Sequence, residues 1–267
     1  MNENNSKQNL LKKGLNILDS FFNDDTTYYA ASLSFFTIFS ILPIIALLIA
    51  IISNFQEFDN YLEVFTSYIF DMINPTHSEE IVNSLKNYIS NSSELGSIGI
   101  IYMLFVFIMF FKDYEYIVNK IHKVKGKSIH ISFIFYSIFL VFIPIVFILI
   151  NLIMSFYNNN NIFNLFISYI SSWILFFTLF KISVNTKISN KAALISSLIT
   201  LLALSITKNL FIYYVIYNKT YTTIYGSLAT LLFTFLWIYI SWIIYLYGMK
   251  ICYKLNLQTL KNQDIKE

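Results

Sequence analysis

The sequence predicts an all-α, polytopic membrane protein with six transmembrane helices, amphipathic helices in its first outer loop, and both termini in the cytoplasm. Three observations lead there. The 267 residues are 57% hydrophobic and 19% aromatic, with only 12% charged residues against about 25% in an ordinary soluble domain. The mean hydropathy is +0.61. Apolar runs long enough to cross a hydrocarbon core of about 30 Å recur along the chain, and the cationic side chains concentrate in alternate connections between them.

Each element follows from its residues. Residues 1–30 form a polar cytoplasmic segment without the apolar core of a signal peptide. Within it "LLKKGLNILDSFF" places Leu11, Leu15, Leu18 and Phe22 on one helical face, which suits a helix lying flat on the membrane surface. The spans are Ala31 to Ser53, Leu95 to Phe111, Ile131 to Met154, Ile162 to Phe180, Ala192 to Tyr213 and Gly226 to Ile251. They are apolar on every side, whereas barrel strands would alternate. Together with their connections they make a membrane domain over 31–255, and 256–267 are a cytoplasmic tail. The second helix is expected to run on into "KDYEYIVNKIH", with Tyr116, Ile117 and Lys120 at the cytosolic surface.

Residues 54–94 form the main excursion outside. Phe58, Leu62, Phe65 and Ile69 align on one predicted helix, and Ile81, Leu85, Tyr88 and Ile89 on a second. Between them Asn74-Pro75 breaks the chain, and Thr76 with Glu79 offers a capping box. This acidic loop serves either as a packed cap or as a lid.

Orientation rests on lysine, because all eighteen cationic side chains are lysines. With the N-terminus inside, all but Lys86, Lys208 and Lys219 lie at cytoplasmic segments. The formal charge of +3 therefore reports topology and contact with anionic membrane lipids. Nucleic acid is not an expected partner. The lone Cys252, near the inner end of the last span, is an inert thiol in this reading.

No motif for a nucleophile, a phosphate-binding loop or a metal is present, so neither an enzyme nor a cofactor is expected. Asp113 and Glu115 are expected to pair with Lys112 at the cytosolic interface. Helix-disturbing or polar residues at membrane depth remain. Pro43 and Pro144 each remove a backbone hydrogen bond from a span, and either line a substrate path or simply kink their helices. Lys208, beside Asn209, lies about 24 Å along the fifth span, where it either anchors the helix by snorkelling or binds an anionic headgroup. Trp237 and Trp242 are five residues apart and point in different directions, one towards lipid and one inward, or both into the bundle.

"AASLSFFTIFSILPIIALL" carries alanines, paired aromatics, a Phe-Ser step and a proline at Ala31, Phe36, Ser40 and Pro43, with Asp25 before it. Near the other end stand Tyr225-Gly226, Trp237-Ile238-Tyr239 and the late glycine Gly248. Together and in this order they resemble the YihY/BrkB family of bacterial inner-membrane proteins, from about residue 10 to 255. Members commonly place Ala-Glu after the late glycine, where this chain has Met249-Lys250. The resemblance implies a multi-pass inner-membrane protein of envelope integrity. An old ribonuclease label on the family finds no support in these residues. Two functions are expected: transport or flipping of a lipid or anionic amphiphile, or a non-transporting scaffold for envelope assembly.

Overall fold

The computed structural model describes residues 25–53, 83, 87, 96–156, 161–217, 225 and 228–264. The N-terminal interfacial helix, nearly all of the first outer loop, and Gly226 lie outside the described residues. Six long helices make up the rest: α1 (Asp25–Ser53), α2 (Gly96–Ile121), α3 (Ile129–Phe156), α4 (Asn161–Ile182), α5 (Asn190–Tyr217) and α6 (Leu228–Asp264). There is no strand among the described residues.

The bundle is apolar outside as well as inside. Phe35, Phe105, Phe142, Phe166 and Ile206 are all exposed, a surface that water would disfavour and acyl chains accept. Among the described residues, α4 over Leu165–Ile182, α5 over Asn190–Tyr217 and α6 over Leu228–Leu260 are long and apolar enough to cross a bilayer. At 1.5 Å per residue the 37 residues of α6 extend about 55 Å. This helix therefore continues past the expected end of the sixth span, through what the sequence marks as a tail, to Asp264.

Packing inside such a bundle depends on how near the backbones approach. α6 lies against α5 and α1, α1 also against α2, and α4 against α5. The α5 face is a stripe of small buried residues, Ala192, Ala193, Ser196, Ser197 and Thr200. Opposite them Gly248 is so close that a Cβ added to it would lie 1.9 Å from Thr200 Oγ1 and 3.0 Å from Thr200 Cβ. The main core gathers Leu33, Phe107, Tyr114, Tyr136, Phe180 and Leu246. A smaller cluster joins Phe211, Ala229, Phe233 and Trp237.

Candidate functional site

Helix α2 ends by a rule of backbone hydrogen bonding. Lys123 takes a left-handed φ of 56°, its N–H bonds to Lys120 O at 3.1 Å, and Val124 N–H bonds to Asn119 O at 3.0 Å. This is the Schellman arrangement with lysine where glycine is usual. It turns the chain back, so that "KGK" lies across the last turns of α2.

There the Lys127 N–H donates to Glu115 Oε1 at 2.6 Å, and the Lys112 ammonium donates to Lys127 O at 3.1 Å. The Lys127 ammonium reaches the end of α4, donating to Ile182 O at 2.8 Å, and lies 4.4 Å from the centre of the Phe135 ring. Burial pushes its pKa down, and the charge of Glu115 partly offsets this.

The α4–α5 connection is tied to the same place. Asn119 Nδ2 donates to Glu115 O at 2.8 Å and to Ser183 O at 3.2 Å, while its Oδ1 accepts the Asn185 N–H at 2.7 Å. Asn185 Nδ2 in turn donates to Lys125 O at 2.9 Å. On α6, Asn256 Oδ1 accepts the Ser189 N–H at 2.8 Å. Backbone groups of the two connections that neither helix nor sheet would pair are thus paired by the side chains of three asparagines, as buried polar groups require.

A buried polar cluster lies behind this lacing. Glu115 is fully buried. The Tyr114 hydroxyl shares hydrogen bonds with Ser183 Oγ, at 2.9 Å, and with the Tyr245 hydroxyl. The Tyr136 ring stacks on Phe111 at 4.5 Å and meets Tyr114 edge-on at 6.5 Å. Glu115 Oε2, the Tyr136 hydroxyl and His122 Nε2 are buried without a hydrogen-bond partner. His122 Nδ1 lies 3.0 Å from Val118 O, and burial lowers the His122 pKa more than this contact raises it.

On the outer side of Phe111 and Tyr136, a notch of ≈ 10 Å³ opens between α2 and α3. Phe107, Phe111 and Phe133 form its apolar wall, and Lys112 and Ser132 its polar end.

The residues singled out from the sequence are dispersed. Pro43 is buried within α1, and Pro144 lies within α3. Lys208 is half-buried on α5, next to the exposed Asn209. Trp237 is buried, its ring 5.3 Å from Phe211. Trp242 faces the main core and donates from Nε1 to Thr37 Oγ1 at 2.8 Å, so both tryptophans pack inward. Of the motif positions, Asp25, Ala31 and Tyr225 are exposed. Phe36 and Tyr239 are half-buried, and Ser40 and Gly248 are buried. No common site joins them.

The pairing expected for the acids of α2 is not observed. Glu115 takes the Lys127 N–H and Asp113 accepts from Ser32 Oγ at 3.2 Å on α1, while Lys112 caps a carbonyl. Ile117 is buried rather than at the surface. Tyr116 is exposed as expected, and the Lys120 ammonium lies 5.1 Å from the Tyr29 ring centre. The signal for this buried cluster was present in the spacing: Tyr114, Glu115, Val118, Asn119 and His122 recur at helical intervals and share one face.

A family model described as Virulence factor BrkB matches residues 17–266. The chain is 28% identical over 242 residues to the UPF0761 membrane protein of Pseudoalteromonas translucida, covering 86% of this chain and 81% of that one. It is 25% identical over 253 residues to the UPF0761 membrane protein of Mannheimia succiniciproducens, covering 90% and 88%. No solved structure matches it.

Proposed function

The chain belongs to the Virulence factor BrkB family of membrane proteins, and from that membership we propose that it moves a lipid or amphipathic envelope precursor across the bacterial inner membrane. In this reading all six helices cross the bilayer, both termini are cytoplasmic, and the lysine-rich end faces inward. Three of the helices meet the length and composition needed. Lysine placement supports the orientation.

The observation that carries the reading is the notch between α2 and α3. It is amphipathic in the sense an anionic lipid is: an aromatic wall at Phe107, Phe111 and Phe133, then an ammonium at Lys112 and a hydroxyl at Ser132. At about 10 Å³ the notch takes one headgroup oxygen and not a whole phosphate, so the rest of the headgroup and the acyl chains would run along the exposed helix surface. The acting groups are binding groups, so neither bond-making chemistry nor a cofactor is assigned. Lys208 would serve as a second contact for the headgroup further along the path.

The test is a vesicle assay. Purified protein is reconstituted with a fluorescent anionic phospholipid, and movement between leaflets is read by external quenching. The wild type is expected to move the label, and Lys112→Met and Lys208→Met to slow it. Movement no faster than in protein-free vesicles, with either sign of ion gradient, would overturn transport.

A second reading, a non-transporting scaffold for envelope assembly, is favoured by one feature. Trp237 and Trp242 fill the interior with aromatic contacts instead of leaving a path beside α6. Wild-type growth phenotypes that persist in transport-dead variants would select this reading.

A further inference from the structure

The buried carboxylate of Glu115 is used by neither reading above. It has no exposed surface, and its Oε1 accepts one N–H at 2.6 Å. Its Oε2 accepts nothing among the described residues. A half-satisfied carboxylate inside a bundle is unfavourable unless a positive charge or further donors reach it. Neither nearby ammonium bonds it: Lys127 bonds Ile182 O and lies over Phe135, though the charge of Glu115 still acts on it, and Lys112 bonds Lys127 O.

A second group without a partner at hydrogen-bond distance lies in the same buried cluster. The Tyr136 hydroxyl is buried with no partner at hydrogen-bond distance, and both Ser183 and the charge on Glu115 act on it. Beside them are the hydroxyls of Ser183 and Tyr114, already bonded to each other and to Tyr245. Every candidate ligand atom is oxygen, and only one carries a formal charge. Oxygen-only sets select hard cations, and a single carboxylate balances a single positive charge.

We propose that Glu115 anchors a binding site for an alkali-metal ion, of which Na⁺ is the probe, completed by the hydroxyls of Tyr136 and Ser183. The site lies where α2 and α3 meet the α4–α5 connection. An ion there draws Tyr136 on α3 towards Glu115 on α2, so occupancy bears on the two helices that flank the notch. Its use as a coupling ion rests on the transport reading; its binding does not.

The experiment is thermal unfolding of the detergent-purified full chain, titrated with NaCl against choline chloride at constant ionic strength. The midpoint is expected to rise with Na⁺ and saturate, since a ligand that binds only the folded state shifts the equilibrium by a factor of 1 + [Na⁺]/Kd. Glu115→Gln is expected to abolish the Na⁺ dependence. Tyr136→Phe, which keeps the ring stack, should raise the apparent Kd about tenfold if it removes one ligand. Tyr116→Phe, on the exposed face, should leave the titration unchanged. If Glu115→Gln does not fold, Tyr136→Phe decides alone. Equal responses to NaCl and choline chloride would overturn the site, as would stabilisation that follows pH but not Na⁺, meaning that a proton or only water occupies it. Na⁺-dependent stability without lipid movement would sink transport alone. Lipid movement with Na⁺-independent stability would sink the ion site alone.

Discussion

Gly248→Ala separates two effects of opposite sign at the α5–α6 crossing. Alanine is better than glycine in a helix interior by about 1 kcal/mol, so helix propensity alone makes the substitution stabilising. Packing opposes it. The new methyl group would lie 1.9 Å from Thr200 Oγ1, 3.1 Å from Cγ2 and 3.0 Å from Cβ. Turning χ1 of Thr200 can bring its Cβ hydrogen to the tightest point, at the expense of the Oγ1 hydrogen bond to Ser196 O, but Cβ does not move at all. Carbon atoms in contact sit about 3.5 Å or more apart, so the helices must part by roughly 0.5 Å. That separation loosens the stripe from Ala192 to Thr200. Overpacking of this kind costs about 1–3 kcal/mol. Taking the upper end and subtracting the propensity gain leaves about 2 kcal/mol of destabilisation, roughly a thirtyfold fall in the folding equilibrium. Reversible unfolding in mixed micelles, read by tryptophan fluorescence, measures it. Thr200→Gly removes all three opposing atoms, so a double-mutant cycle should show the two substitutions coupled by about 1–3 kcal/mol. A Gly248→Ala protein as stable as the wild type, or a cycle without coupling, would refute the steric argument.

Three further outcomes are expected. The His122 pKa is lowered on folding, so protons bind the unfolded chain more tightly; stability should be full above the ordinary histidine value of 6.5 and fall as pH drops below it. His122→Phe should flatten that dependence in denaturant titrations at pH 5 and pH 8. Trp242→Phe loses the hydrogen bond to Thr37 but most of the ring packing remains, so a loss of about 0.5–1.5 kcal/mol is expected by chemical unfolding. Lys125 is exposed and the only native thiol, Cys252, is buried, so a Lys125→Cys protein should react with an impermeant maleimide from the cytoplasmic side alone; labelling from the periplasm would invert the topology.

The helices were legible because a membrane helix announces itself by length and apolarity on every face, which needs no knowledge of its neighbours. The ends of the spans were less so. The apolar run of α2 stops at Phe111, yet the helix goes on to Ile121, where residues of 122–128 and 183–189 bond to its last turns. Charge was read there as exposure, since a carboxylate beside a lysine at a helix end normally faces water. For Tyr116 and Lys120 that reasoning holds. It fails for Glu115, whose neighbours are set by the reversal at Lys123 and by Asn119 and Asn185, all of them contacts between segments far apart in the chain.

The same distinction explains why Gly248 was named only as a position of the family resemblance and Thr200 was not named at all. The close approach depends on the partner opposite the glycine, which is ordinary in composition and is chosen by the register of α5 on α6. Register is fixed by the whole stripe from Ala192 to Thr200. If so, enlarging any member of the stripe should weaken the same crossing. Ala193→Leu, at a fully buried position, is then expected to couple to Gly248→Ala in unfolding experiments, whereas Leu202→Ala, on the exposed face of α5, should not. Additivity of Ala193→Leu with Gly248→Ala would mean that the two ends of the seam move independently, and the argument from register would fail.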